Sequence, residues 1–215
     1  MTQLALPLSF PPDGNNDEFV VSSSNARAAT GVERWNVWPV MTALLIGPRK
    51  SGRSTLARLF ERQTGGLVID DAERHVEVAL FHAWNEAQAS KRPLLVIAEQ
   101  APPAWAIKLP DLRSRLLASP SFSIDPPDTE LMAVLLARDF LRRGLDARPE
   151  LISWLVVQLE RSHIARIRAV DVLDQLAMET RKRLSIPRAR ATLLSAGLIA
   201  DLLSPRATQS GARIA

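Results

Sequence analysis

The stretch Ala43-Leu44-Leu45-Ile46-Gly47-Pro48-Arg49-Lys50-Ser51-Gly52-Arg53-Ser54-Thr55-Leu56 decides the fold. An apolar run enters a loop bracketed by Gly47 and Gly52, and an amphipathic pattern with Leu56, Leu59 and Phe60 leaves it. The spacing matches the GxxxxGK[ST] pattern of a phosphate-binding loop. In such a loop, backbone N–H groups turn inward on a polyphosphate and the following helix presents its positive N-terminal end. Arg53 stands where lysine is usual. A guanidinium still pairs with phosphate oxygens but is bulkier than an ammonium, so nucleotide binding is expected and efficient hydrolysis less so. Ser54, followed by Thr55, would supply the hydroxyl that ligates Mg²⁺. A tight glycine turn with no ligand is the competing reading; the strand-like run before the loop and the helix-like run after it argue against that.

After the loop helix, Thr64-Gly65-Gly66 leads into Leu67-Val68-Ile69-Asp70-Asp71. Aliphatic residues ending in two acids read as a buried parallel strand whose C-terminal end faces a metal. In that role Asp70 holds Mg²⁺ through water and Asp71 orients an attacking water; an exposed turn with two acids is the alternative. Val76 to Ala89 has helical spacing, with Val76, Leu80, Phe81 and Trp84 on one side. Pro93 to Ala98 is a further buried-strand run, expected to bring Glu99 and Gln100 beside the two acids. Leu109-Pro110-Asp111-Leu112-Arg113-Ser114-Arg115-Leu116 opens another helix, and Phe122-Ser123-Ile124 forms a short last strand. From Thr129 the pattern is helical over Leu131–Arg143, Pro149–Arg161, Ile164–Arg183 and Pro187–Leu203. Strands alternating with helices, then helices alone, imply an α/β core over 18–126 and a small helical lid over 127–203.

Upstream of the loop, a Ser/Asn cluster before Ala26 supplies helix-start chemistry, and the helical stretch that follows ends at Pro39. Phe19 and Val20 fit either a core-facing strand fragment or a contact to a nucleotide base. Residues 1–17, with Pro7, Pro11, Pro12 and Gly14, show no sustained periodicity and are expected to be a flexible leader; 204–215 are expected to fray. Within the leader sits Gln3-Leu4-Ala5-Leu6-Pro7-Leu8. Leucines flanking a proline, headed by a hydrogen-bonding glutamine, suit docking into an apolar pocket of another protein.

At 215 residues the chain can bury a substantial core. It has no cysteine, hence no disulfide and no thiolate metal site, which fits a reducing compartment. No apolar stretch reaches the roughly 20 residues needed to span a bilayer, and the N-terminus lacks a signal-like pattern, so no membrane partner is expected and a cytoplasmic location is. From Leu131 onward there are 14 Lys/Arg against 8 Asp/Glu. That excess fits a solvated helical surface, or a face for an acidic partner or nucleic acid.

With these pieces in order, the sequence resembles the AAA+ family and, within it, the Hda proteins, short relatives of the replication initiator DnaA. The resemblance rests on Gln3–Leu8, the Phe19–Pro39 leader, the phosphate loop, Leu67–Asp71, Leu109–Leu116 and Leu173-Asp174-Gln175-Leu176. It implies a P-loop parallel sheet with a helical lid, and a protein that, on the DNA-bound sliding clamp, makes DnaA hydrolyse its ATP. The hexapeptide Gln3–Leu8 looks like the clamp-binding motif, through Gln3, Leu4, Leu6, Pro7 and Leu8. Arg115 looks like the arginine finger given in trans to a neighbouring nucleotide. Arg168, or Arg166 if the register slips, looks like the lid sensor. The implied ligand is ADP or ATP with Mg²⁺; DNA contact is at most indirect, and homo-oligomerisation stays open.

Two departures bear on activity. The short interval between Thr55 and Leu67 leaves no room for the strand and helix usual there, so an edge strand is expected to be missing. Ala98 stands where a polar residue is usual at the end of the next strand. With Arg53, these imply weak or absent intrinsic ATPase activity. The competing classes are a self-contained ATPase and a DNA-binding module that uses the basic lid.

Overall fold

The computed structural model describes residues 19–200. The hexapeptide 3–8, the remaining leader and the tail from 204 therefore lie outside the described residues. The chain divides after Leu131 into two compact units.

The first unit is built on a four-stranded sheet of β1 (Thr42–Ile46), β2 (Leu67–Ile69), β3 (Leu94–Ala98) and β4 (Ser121–Ser123), in the order β2-β3-β1-β4 with every pairing parallel. This is the shortened sheet expected from the interval after Thr55. Alternation along the strands explains the layering. Leu44, Ile46, Leu94, Val96 and Ala98 face one core with α3 (Glu77–Ser90) and α4 (Pro110–Ala118). Ala43, Leu45, Leu95 and Ile97 face the other with α1 (Ala26–Glu33) and α2 (Arg53–Thr64). All five residues of both β1 and β3 are buried, which is why these strands read as continuous apolar runs.

This arrangement fixes where a ligand can sit. The chain leaves β1 for α2 on one face and leaves the adjacent β3 for α4 on the other. Neighbouring parallel strands whose connections depart to opposite faces open a crevice at their carboxyl ends, the usual ligand position in open α/β sheets. The loop after β1 lies at that crevice, where Gly47 N–H donates to the Ala98 carbonyl at 3.3 Å.

Polar stitches hold the periphery. The Asn25 side chain accepts from Ser22 N–H at 2.8 Å and donates to the Val20 carbonyl at 2.9 Å. Asp128 accepts from Ser23 Oγ at 2.7 Å, Ser24 N–H at 3.2 Å and Leu131 N–H at 2.7 Å, tying the start of α1 to the start of α5 (Thr129–Arg142). Burial pushes the Asp128 carboxyl up, but these donors together hold it down to about 2. Val76, expected on the buried side of its helix, instead precedes α3 in extended conformation and is 71% exposed. The apolar face of α3 rests on Leu80, Phe81, Trp84 and Ala87.

The second unit is helical: the remainder of α5, then α6 (Pro149–Gln158), α7 (His163–Thr180) and α8 (Ile186–Ser195). Its core gathers Leu136, Phe140, Leu155, Val170, Leu173 and Leu193, each essentially inaccessible. Ser162 caps α7 by accepting from Ala165 N–H at 3.1 Å. His163, the first residue of α7, is 4% exposed with neither ring nitrogen hydrogen-bonded, and burial lowers its pKa.

Two measurements test these energetics. A Cβ at Gly66 would stand 2.7 Å from both the Pro93 carbonyl oxygen and the Phe60 ring, and a backbone oxygen cannot swing aside. Gly66→Ala should destabilise the first unit by about 1–3 kcal/mol in urea titration. For His163, the neutral form is the one that fits the fold. Stability is full above the unfolded-chain pKa of about 6.5 and falls as pH drops below it, because the unfolded chain takes up a proton that the fold disfavours. The slope approaches about 1.4 kcal/mol per pH unit. Urea titrations of the helical unit at several pH values should show this loss, and His163→Leu should flatten it; His75 and His82 are exposed.

Candidate phosphate and arginine sites

The loop between β1 and α2 has the backbone its sequence calls for. Gly52 takes the left-handed region at φ 93° as the residue preceding α2, and Lys50 takes it at φ 65°. Glycine is favoured at 52 for a second reason: a Cβ there would lie 3.1 Å from the Phe19 ring. Ser51 N–H donates to the Pro48 carbonyl at 3.3 Å, closing the turn. No side chain caps α2, so its first N–H groups have no capping acceptor.

Two side chains in the loop are short of acceptors. Ser51 is 5% exposed and its Oγ has no hydrogen-bond partner; Arg53 is 6% exposed and its Nη1 has none. Buried donors without acceptors are costly. A phosphate oxygen is the kind of group that would satisfy them. The opposite Arg53 nitrogen, Nη2, lies 3.9 Å from Asp71 Oδ1.

The two acids after β2 take different roles. Asp70 accepts from Ser54 Oγ at 2.7 Å, so the hydroxyl and carboxylate expected to share a metal are adjacent. Among the described residues no cluster of three or more His, Asp or Glu forms a metal cage. A magnesium ion at a phosphate site commonly takes one or two carboxylates and completes its shell with phosphate and water, and Ser54 with Asp70 fits that donor set. Asp71, left-handed at φ 48°, faces Arg49 at 3.7 Å, Arg53 at 3.9 Å and Arg74 at 3.9 Å.

Glu99 follows β3 as expected and comes close to this group. Arg49 Nε hydrogen-bonds the Glu99 carboxylate, which holds Glu99 below the usual carboxylate range and raises the Arg49 guanidinium. Glu73 accepts from the Glu99 and Gln100 N–H groups. Arg49 thus bridges the loop to both β2 and β3. Its position inside the glycine bracket was the sequence signal for this role, and reading the loop only by its defining positions misses it.

Thr55 is half-buried in the first turn of α2 and accepts from Arg58 at 3.5 Å. Phe19 packs against the α1/α2 core and the loop at Gly52, while the Val20 carbonyl is taken by Asn25. In the helical unit, Arg168 is exposed on α7, whereas Arg166 is 6% exposed and ion-paired with Asp139. Burial lowers the Arg166 pKa to about 10.

Arg115 lies in the last turn of α4. Its guanidinium is 4.5 Å from the centroids of both the Phe81 and Trp84 rings of α3, and it donates to the Asn85 side-chain oxygen. Trp84 Nε1 donates to Ser119 Oγ at 3.3 Å, and Ser119 Oγ donates to the Arg115 carbonyl at 2.9 Å. Glu77 fixes the approach to α4 by accepting from Lys108 N–H at 3.0 Å and Leu109 N–H at 2.7 Å; those hydrogen bonds keep its pKa low. Arg113 is exposed on the same helix.

No protein-family profile matches the chain. An uncharacterized protein of Haemophilus influenzae is 29% identical over 159 residues, which cover 71% of this chain and 69% of the relative. Among solved structures, domain III of the Thermotoga maritima replication initiation protein DnaA superposes with a TM-score of 0.69 at 15% identity, covering 86% of this chain and 97% of that one. Aquifex aeolicus DnaA, solved with AMPPCP, gives 0.56 at 15% identity over 74% of this chain and 63% of that one. A point variant of Thermotoga maritima RuvB gives 0.63 at 13% identity over 83% and 70%. The chain has the α/β AAA+ fold of DnaA and RuvB.

Proposed function

We propose that this chain is a nucleotide-binding regulator that docks on the DNA polymerase sliding clamp through residues 3–8 and presents Arg115 to ATP-bound DnaA, promoting hydrolysis of DnaA's ATP. The observation that carries nucleotide binding is the loop at the β1/β3 crevice, with its uncapped helix and the orphaned Ser51 Oγ and Arg53 Nη1. Gly47, Gly52, Arg53, Ser54 and Thr55 hold the phosphates of ADP or ATP in this reading. Phe19 and Val20 border the nucleotide in this reading. Ser54 and Asp70 hold Mg²⁺, which when bound neutralises charge on the phosphate oxygens.

The electrostatics favour a regulator over a motor. Asp71, the acid suited to orienting water, faces three arginines, and Glu99 is held by Arg49. Both carboxylates are thus engaged by the chain's own cations. Arg115, by contrast, meets aromatic faces and an amide rather than an acid. No carboxylate among these contacts competes with a phosphoryl group on a partner, where an arginine supplied in trans can contribute roughly 10³–10⁵ in rate. A self-contained ATPase is the second reading, supported by the 2.7 Å Ser54–Asp70 contact.

The deciding experiment measures ATP hydrolysis by DnaA alone, with this protein, and with this protein plus DNA-loaded clamp. Stimulation should require the clamp and fall by about tenfold or more for Arg115→Ala. Because Arg115 also packs on α3, circular dichroism and a thermal melt of the variant must show that it remains folded. Unchanged DnaA turnover sinks the regulator reading. Turnover by this protein alone, lost in Asp71→Asn, establishes the second.

A further inference from the structure

The outer edge of the sheet carries a feature that the nucleotide site does not use. β4 is terminal in the strand order. On its inner side the Pro120 carbonyl accepts from Leu44 N–H and Ile124 N–H donates to the Ile46 carbonyl, both at 2.8 Å, with Phe122 in register with Leu45. Alternate residues of a parallel strand serve the same neighbour, so Ser121 and Ser123 direct their N–H and C=O groups away from β1. The chain already uses the next outward position: Asp125 N–H donates to the Ser24 carbonyl at 3.0 Å.

Beside this edge runs a groove of about 830 Å³, bordered by Arg27, Thr30, Arg34, Val37, Ser121 and Ser123. Ligand clefts span about 300–1,000 Å³, so this one suits a stretch of chain better than an ion. Arg27 and Arg34 are both exposed. Arg27 lies in the first turn of α1 and Arg34 directly follows its last residue, roughly 10 Å along the axis at about 1.5 Å per residue. Asp125 is the one acid among the lining residues. In an added strand, side chains on one face repeat about every 6.6 Å, so acids at alternate positions would pass within reach of both guanidinium groups. Val37, 62% exposed, offers an apolar contact at the Arg34 end.

We propose that this groove receives an extended acidic peptide from a partner protein, which adds to the sheet as a fifth strand beside β4 and sets alternate carboxylates against Arg27 and Arg34. A peptide is favoured over nucleic acid because the Ser121 and Ser123 edge offers donors and acceptors alternately, as a peptide backbone does. A deoxyribose–phosphate backbone has no donors, and the 2′-hydroxyls of RNA do not alternate with acceptors at strand spacing.

The test uses the full chain and a fluorescein-labelled peptide of alternating valine and glutamate, about eight residues long. A valine–lysine peptide of equal length and a short oligothymidylate serve as comparators. Fluorescence anisotropy should show saturable binding of the glutamate peptide, none of the lysine peptide, and about tenfold weaker binding by the Arg27→Glu/Arg34→Glu double variant. Ser123→Pro removes one outward N–H while leaving the β1 pairing intact and should weaken binding similarly. If that variant fails to fold, protection of the Ser121 and Ser123 amides in hydrogen-exchange NMR of the wild-type protein gives the same information. Equal binding of both peptides, indifference to the arginine substitutions, or unchanged Ser121 and Ser123 amides would each overturn the proposal. Oligothymidylate binding that depends on the arginines, with no glutamate-peptide binding, would reassign the groove to nucleic acid.

Discussion

The burial of β1 on both faces is the constraint on which the rest of the core depends. With Ala43 and Leu45 in one layer and Leu44 and Ile46 in the other, the strand can neither slip by a residue nor rotate without moving its whole apolar set out of place. Its carboxyl end is therefore a fixed point. From it the chain turns through Gly47 to Gly52 into α2, whose uncapped N-terminus faces the crevice beside β3. The site's polar groups are held by packing they take no part in, and the loop can tolerate the left-handed backbone at Lys50 because the flanking elements cannot relax.

The loop's cations meet the chain's own acids before any ligand arrives. Arg49 joins Glu99 and Asp71, and Arg53 leans toward Asp71. In the proposed nucleotide site, an incoming phosphate would compete with internal carboxylates for the same guanidinium groups, which would cost affinity but keep the cations oriented. Arginine suits this double duty better than lysine, since its planar fork can hold a carboxylate with one edge and an anion with the other. The substitution at position 53 and the surrounding acids form one electrostatic unit.

Much of this could be read from the sequence because burial and turn chemistry leave local marks. The runs at Ala43–Ile46 and Leu94–Ala98 are apolar on both faces, and the Gly47/Gly52 bracket fixes the loop. The short interval after Thr55 gives the missing edge strand. Other features depend on tertiary proximity and left no such mark. Val76 carries the apolar residue type of its helix but falls one residue before it, in the turn where α3 begins. Arg166 and Arg168 cannot be separated by alignment on Leu173-Asp174-Gln175, yet helical periodicity turns the first toward Asp139 and the second to solvent. The aromatic setting of Arg115 joins residues 30 or more positions apart, a distance over which no spacing rule applies.

The way Arg115 is held has a consequence for ionic strength. An arginine positioned by a carboxylate gives up much of its field to that partner, and its placement loosens as salt screens the pair. Stacking against Phe81 and Trp84 relies instead on ring quadrupoles and dispersion at short range. The side chain can therefore stay in place across a range of salt concentrations while its positive charge remains uncompensated. In the proposed role, salt would then weaken the approach of a negatively charged partner without disturbing the group that meets it, separating encounter from alignment in a single residue.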